Sequence, residues 1–464
     1  KSNVIIVLND NQMSIAKNVG VMAGYLGNIR TNTNYMGLKE DVENILKKMP
    51  RIGETITTSI RGFKDVLKRV FIPGMLFEDM GIKYIGPIDG HDVKKMVSAF
   101  DGASKVKGAV LVHVCTKKGK GYPPAEKDPS AFHGVAPFFV RDGSARKSEG
   151  LKETYTDVFS RKITELAEKD KRITAVTAAM PAGTGLSVFS EKFPDRFFDV
   201  GIAEEHAVTF AAGMAAGGLK PVVAIYSTFL QRAYDQILQD VCLCGLPVVF
   251  MADRAGIVGS DGETHQGIFD IAFMMPMPGL TVIAPKNSWE LGEMLAFALN
   301  HNAPVAIRYP RGESYTGLPE YRQPVEHGKG EWIIKGHGIV LLAAGSMVKT
   351  AMEVHGILKE KGLCISVVNM RFLKPFDTEL LKEALKGHSI LVTLEEGVVT
   401  GGFGQAVAKW VNGQDKNART ICIGLPDKFL EHGSVSILKK KYGISADGVA
   451  GRVLKEYEEE KRKT

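Results

Sequence analysis

Two adjacent carboxylates, Glu204 and Glu205, stand where the aromatic and β-branched run Phe197-Phe198-Asp199-Val200 gives way, through Gly201, to the helical spacing of Ala207, Phe210, Ala211 and Met214. Unpaired N–H groups and the macrodipole make a helix N-terminus positive, so first-turn decoration accounts for two acidic residues on its own. The helix behind them is so apolar, however, that at least one carboxyl must face the interior, and a buried carboxyl needs a partner. One chemistry asks for such a group. A carboxyl hydrogen-bonded to an aminopyrimidine ring favours the imino tautomer, which then takes a proton from a neighbouring carbon.

Other stretches carry reactive types at strand ends. Asp253 to Gly267 places four glycines in fifteen residues among Arg254, Asp261, Glu263 and His265. A solvated variable loop would look similar, but this one follows the apolar strand Pro247–Met251, so its charges converge over a sheet edge. Tyr309-Pro310-Arg311-Gly312 ends a later strand of the same alternation, and Arg254 and Arg311 could meet over one anion, since two guanidinium forks match a phosphate. In Tyr226-Ser227-Thr228-Phe229-Leu230-Gln231-Arg232, Phe229 lies between hydroxyl residues and Arg232, a mixed rim suited to a flat heteroaromatic ring as well as to core packing. Asn9-Asp10-Asn11-Gln12-Met13-Ser14-Ile15 follows the first strand. Turn formation explains it, and an amide oxygen with a backbone carbonyl would also suit Mg²⁺. Lys117, Lys118 and His133 lie beyond another strand end, as solvated surface or as a phosphate-contacting loop.

The elements that must position these residues are legible as alternation. Apolar strands at Val4–Leu8 and Ala109–Val114 belong to a first α/β domain, residues 1–140, and Val4–Leu8 is apolar enough to need neighbours on both sides. Residues 141–152 are polar and aperiodic, a linker. Residues 153–315 alternate helices with strands at Ile173–Thr177, Val222–Tyr226, Pro247–Met251, Thr281–Ala284 and Val305–Arg308, which argues a parallel sheet covered on both faces. After a second linker, 316–330, residues 331–464 repeat the pattern at Ile339–Ala343, Cys364–Val368, Ile390–Leu394 and Thr420–Ile423, ending in a charged helix from Arg452. The fold class is therefore α/β.

A net charge of +7 spread over 464 residues, without a basic tract, makes nucleic acid a poor partner and small anionic substrates a better one. No run of 18 apolar residues crosses a membrane. The five cysteines sit mostly in apolar settings and make no metal-ligand spacing, which fits buried thiols in a reducing cytoplasm.

Over essentially the entire chain the sequence resembles the 1-deoxy-D-xylulose 5-phosphate synthases, thiamine diphosphate enzymes of the transketolase superfamily. The resemblance is carried by Leu8 to Ile15, Tyr84-Ile85-Gly86-Pro87-Ile88-Asp89-Gly90-His91, Thr116 to Tyr122, Ala203-Glu204-Glu205-His206-Ala207-Val208-Thr209-Phe210, Tyr226-Ser227-Thr228-Phe229, the Asp253–Gly267 loop and Arg308-Tyr309-Pro310-Arg311-Gly312. It implies three doubly wound α/β domains of transketolase type, and the joining of pyruvate, with loss of carbon dioxide, to D-glyceraldehyde 3-phosphate, whose product feeds isoprenoid and thiamine synthesis. By motif position it implies Glu204 on the aminopyrimidine, Phe229 stacked against it, Lys118 near the diphosphate and Ile15 beside the cofactor. It further implies Asn11 and the Met13 carbonyl on Mg²⁺, and Arg254, Arg311 and Tyr226 at the acceptor phosphate. His133, Asp261, His265 and Arg232 would surround the reacting carbons, the imidazoles exchanging protons near neutral pH. A homodimer in the cytoplasm is part of the same implication.

Two departures stand out. Glu205 occupies a position where the family usually has glutamine. The family also carries, upstream of the residue matching Lys1, a Gly-Asp-Gly metal-ligand motif and a histidine near the cofactor; no Gly-Asp-Gly occurs in this sequence. The expectation is a first domain incomplete at its N-terminus. The chain would then be an enzyme of this family, another superfamily member, or an inactive piece that needs the missing segment in trans.

Overall fold

The computed structural model describes residues 2–13, 21–31, 75–135, 137–146, 152–414 and 418–462. The chain divides into two compact units, Lys1–Glu149 and Gly150–Thr464, so the second and third stretches of alternation share one unit.

In the first unit β1 (Val4–Asp10), β2 (Lys83–Asp89) and β3 (Ala109–Cys115) form a parallel sheet in the order β1-β3-β2. The interior of β3, from Val110 to Val114, is buried, as its unbroken apolar run requires. Against the expectation of two neighbours, β1 pairs with β3 alone among the described residues, and Val4 to Val7 are exposed along it. The reading of the sequence missed β2 because Gly86-Pro87 interrupts it, and such a pair argues against a strand. The ladder accommodates it by skipping from Ile85 to Ile88. Gly86 is required there: a Cβ would stand 2.6 Å from the His113 carbonyl oxygen.

The second unit holds two sheets. The first contains β4 (Ile173–Thr177), β5 (Phe197–Asp199), β6 (Lys220–Tyr226), β7 (Val249–Asp253), β8 (Thr281–Ile283) and β9 (Val305–Arg308). The second contains β10 (Glu331–Ile334), β11 (Gly338–Ala343), β12 (Ser366–Asn369), β14 (His388–Val398) and β15 (Arg419–Leu425), in the order β10-β12-β11-β14-β15. Between β12 and β14 in sequence, the short β13 (Phe372–Lys374) leaves that sheet and pairs antiparallel with β8, completing the order β13-β8-β9-β7-β6-β4-β5. All residues of β4, β7 and β9 are buried, which is what parallel strands covered by helices on both faces demand. β10 and β13, neither anticipated, are too short to show a period.

The strand-to-strand register fixes where side chains emerge. β6, β7 and β9 run side by side, with Tyr226 opposite Asp253 and Ala252 opposite Arg308. The loops after these strands therefore leave from one edge of the sheet, as the alternation implied. The closing helix is Ala446–Lys461, longer at its start than the charge pattern suggested because Ser445 caps it through the Gly448 N–H. No described helix is long and apolar enough to cross a membrane. The cysteines are free, but only Cys242 is buried, while Cys244 and Cys364 are exposed, which corrects the expectation of buried thiols.

Candidate active site

The buried carboxyl is Glu204. Gly201 adopts φ of +77° after β5, and the Asp199 side chain holds the turn by accepting from the Ala179 N–H at 2.7 Å and the Gly201 N–H at 3.0 Å. The helix Glu204–Ala216 then buries Ala207, Val208, Ala211, Ala212, Met214 and Ala215, leaving Phe210 half-buried. Helical phase carries Glu204 inward, 2% exposed, and leaves Glu205 outside.

Glu204 has the partner that burial demands. Its Oε1 accepts from Arg232 Nη1 at 2.5 Å. The same guanidinium lies over the Phe229 ring, 4.7 Å from its centroid. One planar nitrogen-bearing group thus lies over Phe229 while hydrogen-bonding Glu204, the pair of partners an aminopyrimidine would use. His265 meets the edge of Phe229 at 5.3 Å, and Tyr226 stacks on it at 6.0 Å. Glu204, Arg232, Phe229, His265 and Tyr226 therefore form one contiguous set.

The loop after β7 is built, not merely solvated. Gly256 and Gly267 exchange two backbone hydrogen bonds of 2.6 and 2.9 Å at its base, and Gln266 turns back to accept from the Val258 N–H at 2.8 Å. A Cβ on Gly267 would meet the Arg254 carbonyl oxygen at 2.2 Å. Arg254 itself has φ of +58°, an uncommon backbone state that aims its side chain across the Tyr226 ring at 4.0 Å. Arg254 and Arg311 converge on one anion, and here that anion is Asp261. Its Oδ2 lies 2.6 Å from Arg254 Nη1 and its Oδ1 2.6 Å from Arg311 Nη1, with Ser260 Oγ 2.9 Å from the latter. Ser260, Gln266 and Asp199 join these loops without any signal in spacing or residue type, since all three act by shaping the backbone or meeting Arg311.

Burial also marks Asp253. Enclosed at the end of β7, its carboxyl is pushed up to about 7 by desolvation, even though it accepts from Thr156 Oγ1 at 3.0 Å and the Arg254 N–H at 2.6 Å. Because the folded value is raised, the stabilisation tied to the protonated form is complete below the unfolded value near 4 and is lost as pH rises through about 7. We expect Asp253→Asn to shrink the drop in melting temperature between about pH 5 and about pH 8, measured by calorimetry on both proteins.

The remaining expected residues lie in the first unit. Asn11 Oδ1 accepts from the Met13 N–H at 2.9 Å, and Gln12 takes φ of +62°, so the turn after β1 exposes a cluster of oxygen donors. Asn11 and the Met13 carbonyl suit a hard cation whose other ligands are diphosphate and water, but no Gly-Asp-Gly carboxylate accompanies them in this chain. Lys118 Nζ lies 3.3 Å from His133 Nδ1, and burial lowers the pKa of its ammonium. Lys117 instead pairs with Glu126 at 2.5 Å. Ile15 lies outside the described residues. Missed by sequence spacing altogether is the approach of Cys115 to Asp10 and His113 at the ends of β1 and β3.

Residues 1–116 match the family described as 1-deoxy-D-xylulose-5-phosphate synthase, residues 152–316 the transketolase pyrimidine binding domain, and residues 328–449 the transketolase C-terminal domain. The 1-deoxy-D-xylulose-5-phosphate synthase of Lachnoclostridium phytofermentans is 54% identical over 457 residues, 98% of this chain and 73% of that protein. Its namesake from Halothermothrix orenii is 48% identical over 98% of this chain and 72% of its own length. Among solved structures, a split-gene transketolase described as an inactive beta4 tetramer superposes with a TM-score of 0.59 at 30% identity, covering 66% of this chain and 98% of that one. Transketolase from Campylobacter jejuni shares the fold at 18% identity, with a TM-score of 0.57 over 98% of this chain and 72% of its own.

Proposed function

Because this chain belongs to the 1-deoxy-D-xylulose-5-phosphate synthase family, we propose that it joins pyruvate, with loss of carbon dioxide, to D-glyceraldehyde 3-phosphate on thiamine diphosphate, yielding 1-deoxy-D-xylulose 5-phosphate. The observation that carries this reading is the Arg232 guanidinium, lying over Phe229 and hydrogen-bonded to buried Glu204. It occupies the contacts that the reaction assigns to an aminopyrimidine, so these residues fit that group. Thiamine diphosphate, when bound, supplies the carbon nucleophile and the electron sink for decarboxylation.

The protein's own residues do the rest. Glu204 would hydrogen-bond the ring nitrogen and hold a proton there, Phe229 would provide the stacking face, and Arg232, which now occupies both contacts, would turn to substrate once the ring displaced it. His265, at the edge of Phe229, is placed to carry a proton to or from a substrate oxygen. Arg254 and Arg311 take the acceptor phosphate once Asp261 has released them, an exchange of one anion for another that keeps both guanidinium groups paired. The family resemblance adds Lys118 at the diphosphate, Asn11 and the Met13 carbonyl at Mg²⁺, and His133 near the reacting carbons, in a homodimer.

The test is an assay of 1-deoxy-D-xylulose 5-phosphate formation beside a transketolase assay with a ketose donor; activity only in the second would point to another superfamily reaction. We expect Arg311→Ala to raise the KM for D-glyceraldehyde 3-phosphate about 10- to 100-fold, the worth of a charged hydrogen bond, with the KM for pyruvate changed less than about twofold. Equal effects on both substrates would remove Arg311 from the phosphate site. A titration with thiamine diphosphate and Mg²⁺ beside these assays reads cofactor binding apart from turnover.

A further inference from the structure

We propose that Asp10, His113 and Cys115 form a site for one thiophilic divalent cation of the zinc class, separate in chemistry from the oxygen donors of Asn11 and Met13. The three ligands come from the carboxyl ends of two adjacent parallel strands. Register sets Asp10 of β1 opposite Cys115 of β3, and His113, two residues earlier, shares the same face. His113 Nε2 lies 3.1 Å from Asp10 Oδ2 and 3.8 Å from Cys115 Sγ, and the three donor atoms all fall within 4.8 Å of one another.

Those spacings fit a tetrahedral ion. Bonds of about 2.0–2.3 Å to nitrogen, oxygen and sulfur place ligand atoms roughly 3.4–3.6 Å apart. The two distances from His113 would adjust by a few tenths of an ångström, and Cys115 would approach Asp10 by up to about 1.3 Å, to close the shell. The Tyr84 hydroxyl, 2.7 Å from His113 Nδ1, serves either tautomer: with no ion Nε2–H donates to Asp10 and Tyr84 donates to Nδ1, and with an ion on Nε2 the proton sits on Nδ1 and is donated to Tyr84 Oη. Asp10 Oδ1 accepts from the Gln12 N–H at 3.0 Å, which turns the other carboxylate oxygen toward the histidine. His113 is fully buried and Asp10 nearly so, while Cys115 is half-buried, which lets water reach a fourth position.

An imidazole and a thiolate select against Mg²⁺, which takes oxygen ligands, and in favour of zinc. The strands give the site a purpose. Among the described residues β1 is held by β3 alone, and an ion bridging Asp10 to His113 and Cys115 would pin that strand one residue before Asn11. Neither the resemblance nor the proposed reaction calls for such an ion.

The test uses the full chain, freed of metal with chelator and titrated with Co²⁺ in excess Mg²⁺. We expect one Co²⁺ per chain, with the near-ultraviolet thiolate-to-cobalt band and the visible bands of a tetrahedral ion, both erased by one equivalent of Zn²⁺. Cys115→Ser and, independently, Cys115→Val should lose the thiolate band. Absence of the band in the unaltered chain, or its persistence in both Cys115 variants, overturns the proposal, the latter tracing it to the exposed Cys244 or Cys364. Because Cys115 is half-buried and Val suits a strand, at least one variant retains the fold, which circular dichroism verifies.

Discussion

Glu204→Gln lowers turnover of pyruvate with D-glyceraldehyde 3-phosphate by about 10²- to 10⁴-fold, the range that a positioned proton-transfer group contributes. Glutamine is nearly isosteric and still offers an oxygen to Arg232, so packing in the helix Glu204–Ala216 is preserved while the charge and the exchangeable proton are lost. The loss should fall on kcat, with melting temperature little changed, because the Arg232 guanidinium left behind is nearly half exposed and can be solvated. Glu205→Gln is the matching control. That side chain is exposed and one residue away, so its rate should stay within about twofold of the parent. Initial rates of product formation check both. A wild-type rate for Glu204→Gln would remove this carboxyl from the chemistry.

The contrast between Glu204 and Glu205 shows what sequence could and could not convey. Helical periodicity after Gly201 showed that one of the two carboxyls must be buried, because that follows from 3.6 residues per turn and an apolar face. Its partner was not legible, since Arg232 lies 28 residues away and reaches Glu204 only because β5 and β6 flank β4 in parallel and end at the same edge of one sheet. Arg254 and Arg311 were legible as a pair, each following a buried strand, whereas Asp261 between them depended on a loop closed by the Gly256–Gly267 bridge. The long buried strands announced themselves by composition. β2 hid behind Gly86-Pro87, and β13 hid because three residues crossing into another sheet carry no period. The approach of Cys115 to Asp10 spans 105 positions, and only the parallel register of β1 and β3 creates it.

Where β13 crosses, four charges are sealed from water, and the second large effect is expected there. Lys286 and Arg371 face Glu290 and Glu331, all at 0–1% exposure. Lys286 Nζ lies 2.7 Å from Glu331 and 3.1 Å from Glu290, while Arg371 lies 2.5 Å from Glu331 and 2.9 Å from Glu290. Burial alone would raise the Glu331 carboxyl, but Lys286 and Arg371 outweigh it and hold that carboxyl below its ordinary value. Arg371 also donates to the carbonyls of Gln323 and Pro324 at 3.1 Å each, so one guanidinium ties the linker, β10 and the helix Ser288–Asn300 together. Arg371→Met should therefore cost about 3–5 kcal/mol, because two buried carboxylates are left with one cation. Removing Arg371 together with Glu331, as Met and Leu, should cost less than Arg371→Met alone, since the Lys286–Glu290 pair that remains is neutral. An exposed pair such as Lys382 with Glu379 should yield under about 1 kcal/mol when Lys382 is replaced by alanine. Denaturant titration followed by tryptophan emission reads all three, because Trp289 lies 5.5 Å from the Lys286 ammonium and Trp332 follows Glu331. If the single Arg371 variant proved no less stable than the double, the four charges would be separate contacts and not one coupled, charge-balanced set.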